Sequence, residues 1–222
     1  NEFLSNASNE LKTPLTSIKA YTQLLERKLK QNEENSDLVY VKKTLEQIEK
    51  LNSLITDLLD VSKIENGKLK INKKPENLEL VIQNAIETIL HTNSTDVKIG
   101  RHGMQPDFVI PFDKIRIEQV LINFLSNAIK YSPKNNQIIV TTFWDEKEVR
   151  ISVTGFGIGI PDFKQEYVFH KFYRVEESSL QFQGMGIGLY ICSEIIKQHH
   201  GSIGVSSEIG EGSTFYFTLP IN

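Results

Sequence analysis

The sequence predicts an α+β protein in two parts: an N-terminal antiparallel helical hairpin over residues 1–66, then an α/β sandwich over 67–222. Three observations predict this. Up to Gly67 the chain carries no glycine and a single proline, Pro14, while apolar residues recur at spacings of three and four. Such spacing keeps one face of a helix apolar over many turns. Beyond Gly67 helical stretches alternate with short β-branched ones, the rhythm of a sheet with helices packed on one face. The lone Cys192 excludes a disulfide framework, so burial of apolar surface has to hold both parts together.

In the first part, Leu4, Ala7, Leu11, Leu15, Ile18, Tyr21, Leu25 and Leu29 form one series. After a polar break from Lys30 to Asp37 a second runs through Leu38, Val41, Leu45, Ile48, Leu51, Ile55, Leu58 and Val61. Each predicts a helix of roughly thirty residues, about 45 Å long. Two such helices leave too much apolar face uncovered. Pairing two hairpins into a four-helix bundle would cover it, so a homodimer is expected. Taking Leu4, Leu11 and Ile18 as the seam places Asn9 on the solvent side. Pro14 should bend the helix just beyond it.

In the second part Lys68 to Asn72 alternates like an edge strand, and Pro75 to Leu90 reads as an amphipathic helix. Val97 to Ile110 is weakly patterned, and Asp113 to Ser132 is a strong helix. Strands follow at Ile138–Phe143 and Val149–Val153, then a long mixed loop and a helix from Gly188 to His199. Ser202–Ser207 and Ser213–Leu219 close the sheet.

A net charge of −3 gives no basic excess for nucleic acid. There is no apolar run of about 18 residues, so this stretch makes no membrane contact of its own. The chain begins without Met inside a helical pattern, as the cytoplasmic portion of a longer protein would, with a sensor or membrane anchor upstream. None of the five histidines has metal-ligand spacing; His199 and His200 end a helix, where partial positive charge suits the dipole.

The stretch Phe3 to Thr16 reads F-L-S-N-A-S-N-E-L-K-T-P-L-T. Ser8, Glu10, Leu11, Lys12, Thr13, Pro14 and Leu15 closely resemble the phosphoacceptor segment of sensor histidine kinases, S-H-E-L-[KR]-T-P-L. Asn9 stands at the histidine position. An imidazole nitrogen has a localised lone pair and can attack the γ-phosphate of ATP. An asparagine amide nitrogen has its lone pair delocalised into the carbonyl and cannot.

Residues 68–222 resemble the ATP-binding domain of the same kinases, a member of the GHKL ATPase group, through motifs in the family's order. Gln119 to Pro133, Q-V-L-I-N-F-L-S-N-A-I-K-Y-S-P, matches the N box. Asn123, Asn127 and Lys130 fall at i, i+4 and i+7 and share a helix face, with Tyr131 following. The Asn127 amide oxygen suits Mg²⁺, which prefers hard oxygen donors, and Lys130 offers a charge to phosphate. Ile151 to Pro161 resembles the G1 box D-x-G-x-G-I-P, with Gly157, Gly159 and Ile160 in place and Gly155 at the aspartate position. The resemblance implies that this carboxylate reads the adenine amino group, so its loss weakens ATP binding. Val168 to Arg174 resembles the F box, which places Arg174 within reach of a phosphate. Gly184, Gly186, Gly188 and Leu189 match the G2 box at a helix start, where glycines and N–H groups admit a triphosphate. Gly210 to Phe215 completes the set and brings Thr214 to the site.

The resemblance implies a two-component signalling core. ATP and Mg²⁺ bind the second domain, Glu10 acts as general base for the acceptor, and a response-regulator receiver domain collects the phosphoryl group. With Asn9 and Gly155 in place, the expectation is a pseudokinase impaired in autophosphorylation. Two alternatives stand beside it: a dimeric response-regulator docking scaffold without chemistry, and a phosphatase in which Glu10 and Thr13 form the family's E-x-x-T pattern and Thr13 orients a water.

Overall fold

The structure, a computed structural model, describes residues 2–30, 37–92, 97–103, 107–132, 135–175 and 184–221. In the first two helices it describes side chains only for 11–27 and from 39 onward. It divides into two compact units, one holding residues 1–68 and the other residues 69–182 and 186–222.

The first unit is a hairpin of α1 (Glu2–Lys30) and α2 (Asp37–Glu65), as the two apolar series predict. Pro14 lies inside α1 and is buried. A ring contact between Tyr21 and Tyr40, centroids 6.5 Å apart, joins the helices. Gly67 ends α2 at φ 63: its N–H donates to Ile64 O at 3.0 Å and that of Lys68 to Lys63 O at 2.7 Å. That is the paired closure of a left-handed helix C-cap. Much of the apolar pattern stays uncovered: Leu15 is 59% exposed, Leu45 53% and Ile55 43%. The expected solvent-facing position of the Asn9 side chain and most of the polar break fall outside the described residues.

The second unit pairs β1 (Lys74–Asn77) with β3 (Val109–Phe112) in a small antiparallel sheet. The main sheet holds β2 (Lys98–His102), β4 (Gln137–Trp144), β5 (Glu148–Gly155), β6 (Ile203–Glu208) and β7 (Gly212–Pro220) in the order β2-β4-β5-β7-β6. β2 runs parallel to β4 and the remaining pairs are antiparallel, so the sheet is mixed. Its inward residues alternate: Ile138 and Val140, Val149, Ile151 and Val153, Phe215, Phe217 and Leu219 are all buried. On them pack α3 (Leu78–Thr92), α4 (Lys114–Lys130) and α6 (Gly188–Gln198), with Phe124 of α4 set 5.5 Å from the Phe215 ring. A short helix, α5 (Asp162–Gln165), lies within the long loop.

Two expectations are corrected. The first strand lies at Lys74–Asn77 rather than 68–72, because β1 needs a partner and finds it in β3. The third helix starts at Leu78 rather than Pro75, where the Asn77 side chain accepts the Leu80 N–H at 3.1 Å. Among the described residues no helix is long and apolar enough to cross a membrane.

Candidate functional site

Helix α4 is fixed at its start by Asp113, whose carboxylate accepts the Arg116 N–H at 3.2 Å and the Asn72 N–H at 2.8 Å. The Asp113 N–H in turn donates to His199 Nε2 at 3.0 Å, while His199 Nδ1 lies 2.8 Å from Ile195 O. A carbonyl only accepts, so Nδ1 carries the hydrogen and Nε2 is bare. The buried ring is neutral, with desolvation holding its pKa below the usual histidine value. This corrects the expectation of positive charge at that helix end: His199 ties the end of α6 to the start of α4.

Further along α4, Asn123, Asn127 and Lys130 share one half-buried face. Asn127 Nδ2 donates to Asn123 Oδ1 at 3.0 Å, which leaves Asn127 Oδ1 without a donor among the described residues. That free amide oxygen fits a hard cation. A Cβ at Gly188 would lie 2.3 Å from Asn123 Nδ2, so glycine lets the first turn of α6 rest against the asparagine pair. Ile187 gives that turn no side-chain cap, leaving its N–H groups to an anion, with Leu189 in the same turn. Lys130 Nζ sits 5.0 Å from the Tyr131 ring centre. Burial raises the Tyr131 phenol pKa and the nearby Arg174 charge opposes it, so Arg174 reaches the same neighbourhood. Tyr131 O accepts the Ile158 N–H at 3.1 Å, and a Cβ at Gly157 would stand 2.0 Å from that oxygen. Only glycine lets the G1 loop pass there. Gly159, at φ 73, turns the loop, and the O of Gly186, at φ 69, accepts the Phe172 N–H at 2.8 Å.

At the other end of this face a row crosses the sheet: Ile138, Gly155, Ser213 and Ser207 are register partners in turn. With Ile138 buried, the row faces the helices. Gly155 is buried, and a Cβ there would lie 3.0 Å from Ala128 Cβ. Ile160 N–H donates to Ser207 Oγ at 2.8 Å. Thr214 is not brought to this row. It pairs with Thr154, their hydroxyls 2.8 Å apart, on the opposite face of the sheet. Ser213 takes its place, and the parity of the apolar residues Phe215, Phe217 and Leu219 was the available signal. Gly184 does not belong to the compact unit that holds these residues. Asn9 and Glu10 lie on α1, with side chains outside the described residues, and Thr13 is exposed on the same helix.

A polar asparagine–lysine face, an uncapped helix start and a glycine-lined loop converge as a nucleotide cleft does. Residues 112–222 match the model of the histidine kinase-, DNA gyrase B- and HSP90-like ATPases, and the chain belongs to that family. Residues 1–67 match the His Kinase A phospho-acceptor domain, so the two units together are a sensor histidine kinase core. The sensor histidine kinase WalK of Bacillus subtilis is 33% identical over 99% of this chain, and the chain spans 36% of that protein. ArlS of Staphylococcus haemolyticus, a signal transduction histidine-protein kinase, is 31% identical over 96% of the chain, which spans 47% of its length. Among solved structures, full-length ShkA in complex with AMPPNP aligns with a TM-score of 0.70 and 26% identity, covering 99% of this chain and 45% of that one.

Proposed function

We propose that this chain is the core of a two-component signalling protein that binds ATP with Mg²⁺ but does not phosphorylate its own first helix. The observation that carries this is Asn9, standing where the family places its nucleophile inside an otherwise matching segment. Asn127 Oδ1 would hold the magnesium ion, the start of α6 and Lys130 the phosphates, and Arg174 the outer phosphate. Bound magnesium would supply charge neutralisation at the phosphates. Gly155 removes the carboxylate that would read the base, so adenine affinity falls by about ten- to a hundred-fold, the worth of one charge-assisted hydrogen bond. The exposed apolar stripe of α1 and α2 supports a homodimer, and the same bundle surface is where a receiver domain would dock.

The test is incubation with γ-labelled ATP and Mg²⁺. The expected result is no acid-labile label on this chain, and label on the Asn9→His, Gly155→Asp double variant. Robust labelling of the unaltered chain refutes the proposal. In parallel, a phosphorylated receiver domain separates the remaining readings: turnover abolished by Thr13→Ala marks a phosphatase, and binding without turnover a docking scaffold.

A further inference from the structure

We propose that His199 is an acid-released latch: its bare Nε2 holds the start of α4 and the stretch of chain that enters the second unit, and a proton on that nitrogen lets both go. The latch needs neither the cleft nor a ligand, so it stands apart from the nucleotide reading. Three pieces of chain meet at Asp113. Its N–H donates to His199 Nε2 at 3.0 Å, its Oδ1 accepts the Arg116 N–H at 3.2 Å, and its Oδ2 accepts the Asn72 N–H at 2.8 Å. The first bond fixes the backbone of Asp113 and the other two use its carboxylate. One imidazole lone pair therefore positions the N-cap of α4 and, through it, Asn72. Asn72 lies in the short stretch between Lys68, where the first unit ends, and β1 at Lys74.

The ring cannot answer a proton by changing tautomer. Nδ1–H already donates to Ile195 O at 2.8 Å, so an added proton enters at Nε2. Two N–H groups then face each other across 3.0 Å where a hydrogen bond stood. A buried N–H without an acceptor is costly, so the Asp113 backbone must draw back. Charged groups act on the ring from all three pieces of chain. Asp113 at the start of α4 attracts the imidazolium, whereas Lys73 of the entering stretch and His200 at the end of α6 repel it. Burial is the largest influence and keeps the ring neutral down to pH values below the ordinary histidine range. Once the imidazolium forms, the Asp113 carboxylate is the neighbouring acceptor for its new hydrogen, and turning toward Nε2 takes it from Asn72 and Arg116. Protonation thus exchanges one set of bonds for another, which is what a histidine switch requires.

The experiment is a pH titration of the ¹⁵N-labelled full chain by NMR from pH 7.5 downward, with amide hydrogen exchange at both ends of the range and no nucleotide added. The His199 ring should titrate below its ordinary value of about 6.5, and the Asn72, Asp113 and Arg116 amides should shift with the same midpoint. Exchange at Asn72 and Arg116, corrected for the intrinsic effect of pH, should quicken about three- to tenfold at the acid end, the range of one neutral hydrogen bond. In His199→Gln the side-chain oxygen can accept the Asp113 N–H without titrating, so these changes should vanish. Amides that stay still while the ring titrates overturn the latch, as does a ring that stays neutral until the chain unfolds. Shifts that persist in His199→Gln assign the titration to the Asp113 carboxylate and overturn it too. The coincidence of midpoints is read in the unaltered chain, so the test holds even where the variant fails to fold.

Discussion

Placing a carboxylate at position 155 should make the protein bind ATP better and fold worse. Gly155 sits buried in β5, and a Cβ built there lies 3.0 Å from Ala128 Cβ, 3.1 Å from Ala128 Cα and 3.2 Å from Ala128 O. Two of those three atoms are backbone of α4, which is anchored by fully buried Phe124 and by Leu125. The contact cannot be relieved by a rotamer change, so α4 and β5 must part by a few tenths of an ångström. Overpacking of this kind costs about 1–3 kcal/mol. In a domain of this size each kcal/mol is worth about 2–4 °C, so the melting temperature of Gly155→Asp should drop by roughly 2–12 °C without ligand. Against that, the added charge-assisted hydrogen bond is worth about 1.5–3 kcal/mol in binding, or ten- to a hundred-fold in affinity. Gly155→Ala separates the two effects, since it carries the contact without the carboxylate. Thermal unfolding followed by circular dichroism, with calorimetric titration of ATP and Mg²⁺, reads both. Unchanged stability of Gly155→Ala refutes the spacing argument. A folded Gly155→Asp with no gain in affinity refutes the role given to that position.

Because burial holds the His199 pKa below its ordinary value of about 6.5, the unfolded chain takes up the proton first as pH falls. Its stabilising contribution is therefore complete above about pH 6.5 and is lost below it; melting curves from pH 7.5 to 5.5 should show a shallower acid decline for His199→Gln. Leu45→Lys with Ile55→Lys should convert the proposed dimer to monomer in sedimentation equilibrium while leaving nucleotide binding unchanged, because both side chains lie exposed on α2. Arg101 Nη2 donates to both Glu79 oxygens, at 2.6 and 2.7 Å, and each side chain is about 15% exposed. Arg101→Met leaves Glu79 uncompensated and should cost about 3–5 kcal/mol in urea unfolding, most of it regained in the Glu79→Leu, Arg101→Met pair.

The two long helices and the helix-covered sheet were legible because apolar series at one period leave little choice of element. Sheet edges were not. Lys68–Asn72 alternates as well as any strand here, yet pairing falls to Lys74–Asn77, since β3 supplies hydrogen-bond partners only there. The cleft shows the same division. Asn123 and Asn127 could be placed on one face from their spacing alone, and their mutual hydrogen bond follows from it. Thr214 could not be judged from a motif, because one residue along a strand reverses the face, and the register with Gly155 falls on Ser213. The neutral state of His199 was not legible, because it is set by a backbone N–H 86 positions away in sequence.

The groups proposed to act on a ligand are largely separate from those that hold the scaffold together. The apolar core is formed by Phe112, Phe124, Phe217 and the buried residues of α3 and α6. The cleft's remaining geometry is set by contacts that do not involve position 155 at all: Gly188 against Asn123, Gly157 against Tyr131, His199 against Asp113. Side chains that act only on a ligand can be exchanged at small cost to folding, whereas glycines that admit a close backbone approach cannot. Substituting Gly157 or Gly188 should therefore damage nucleotide binding through the fold itself. Under the proposed reading, exchange of Asn9 should alter phosphoryl chemistry while leaving nucleotide binding by the second unit unchanged.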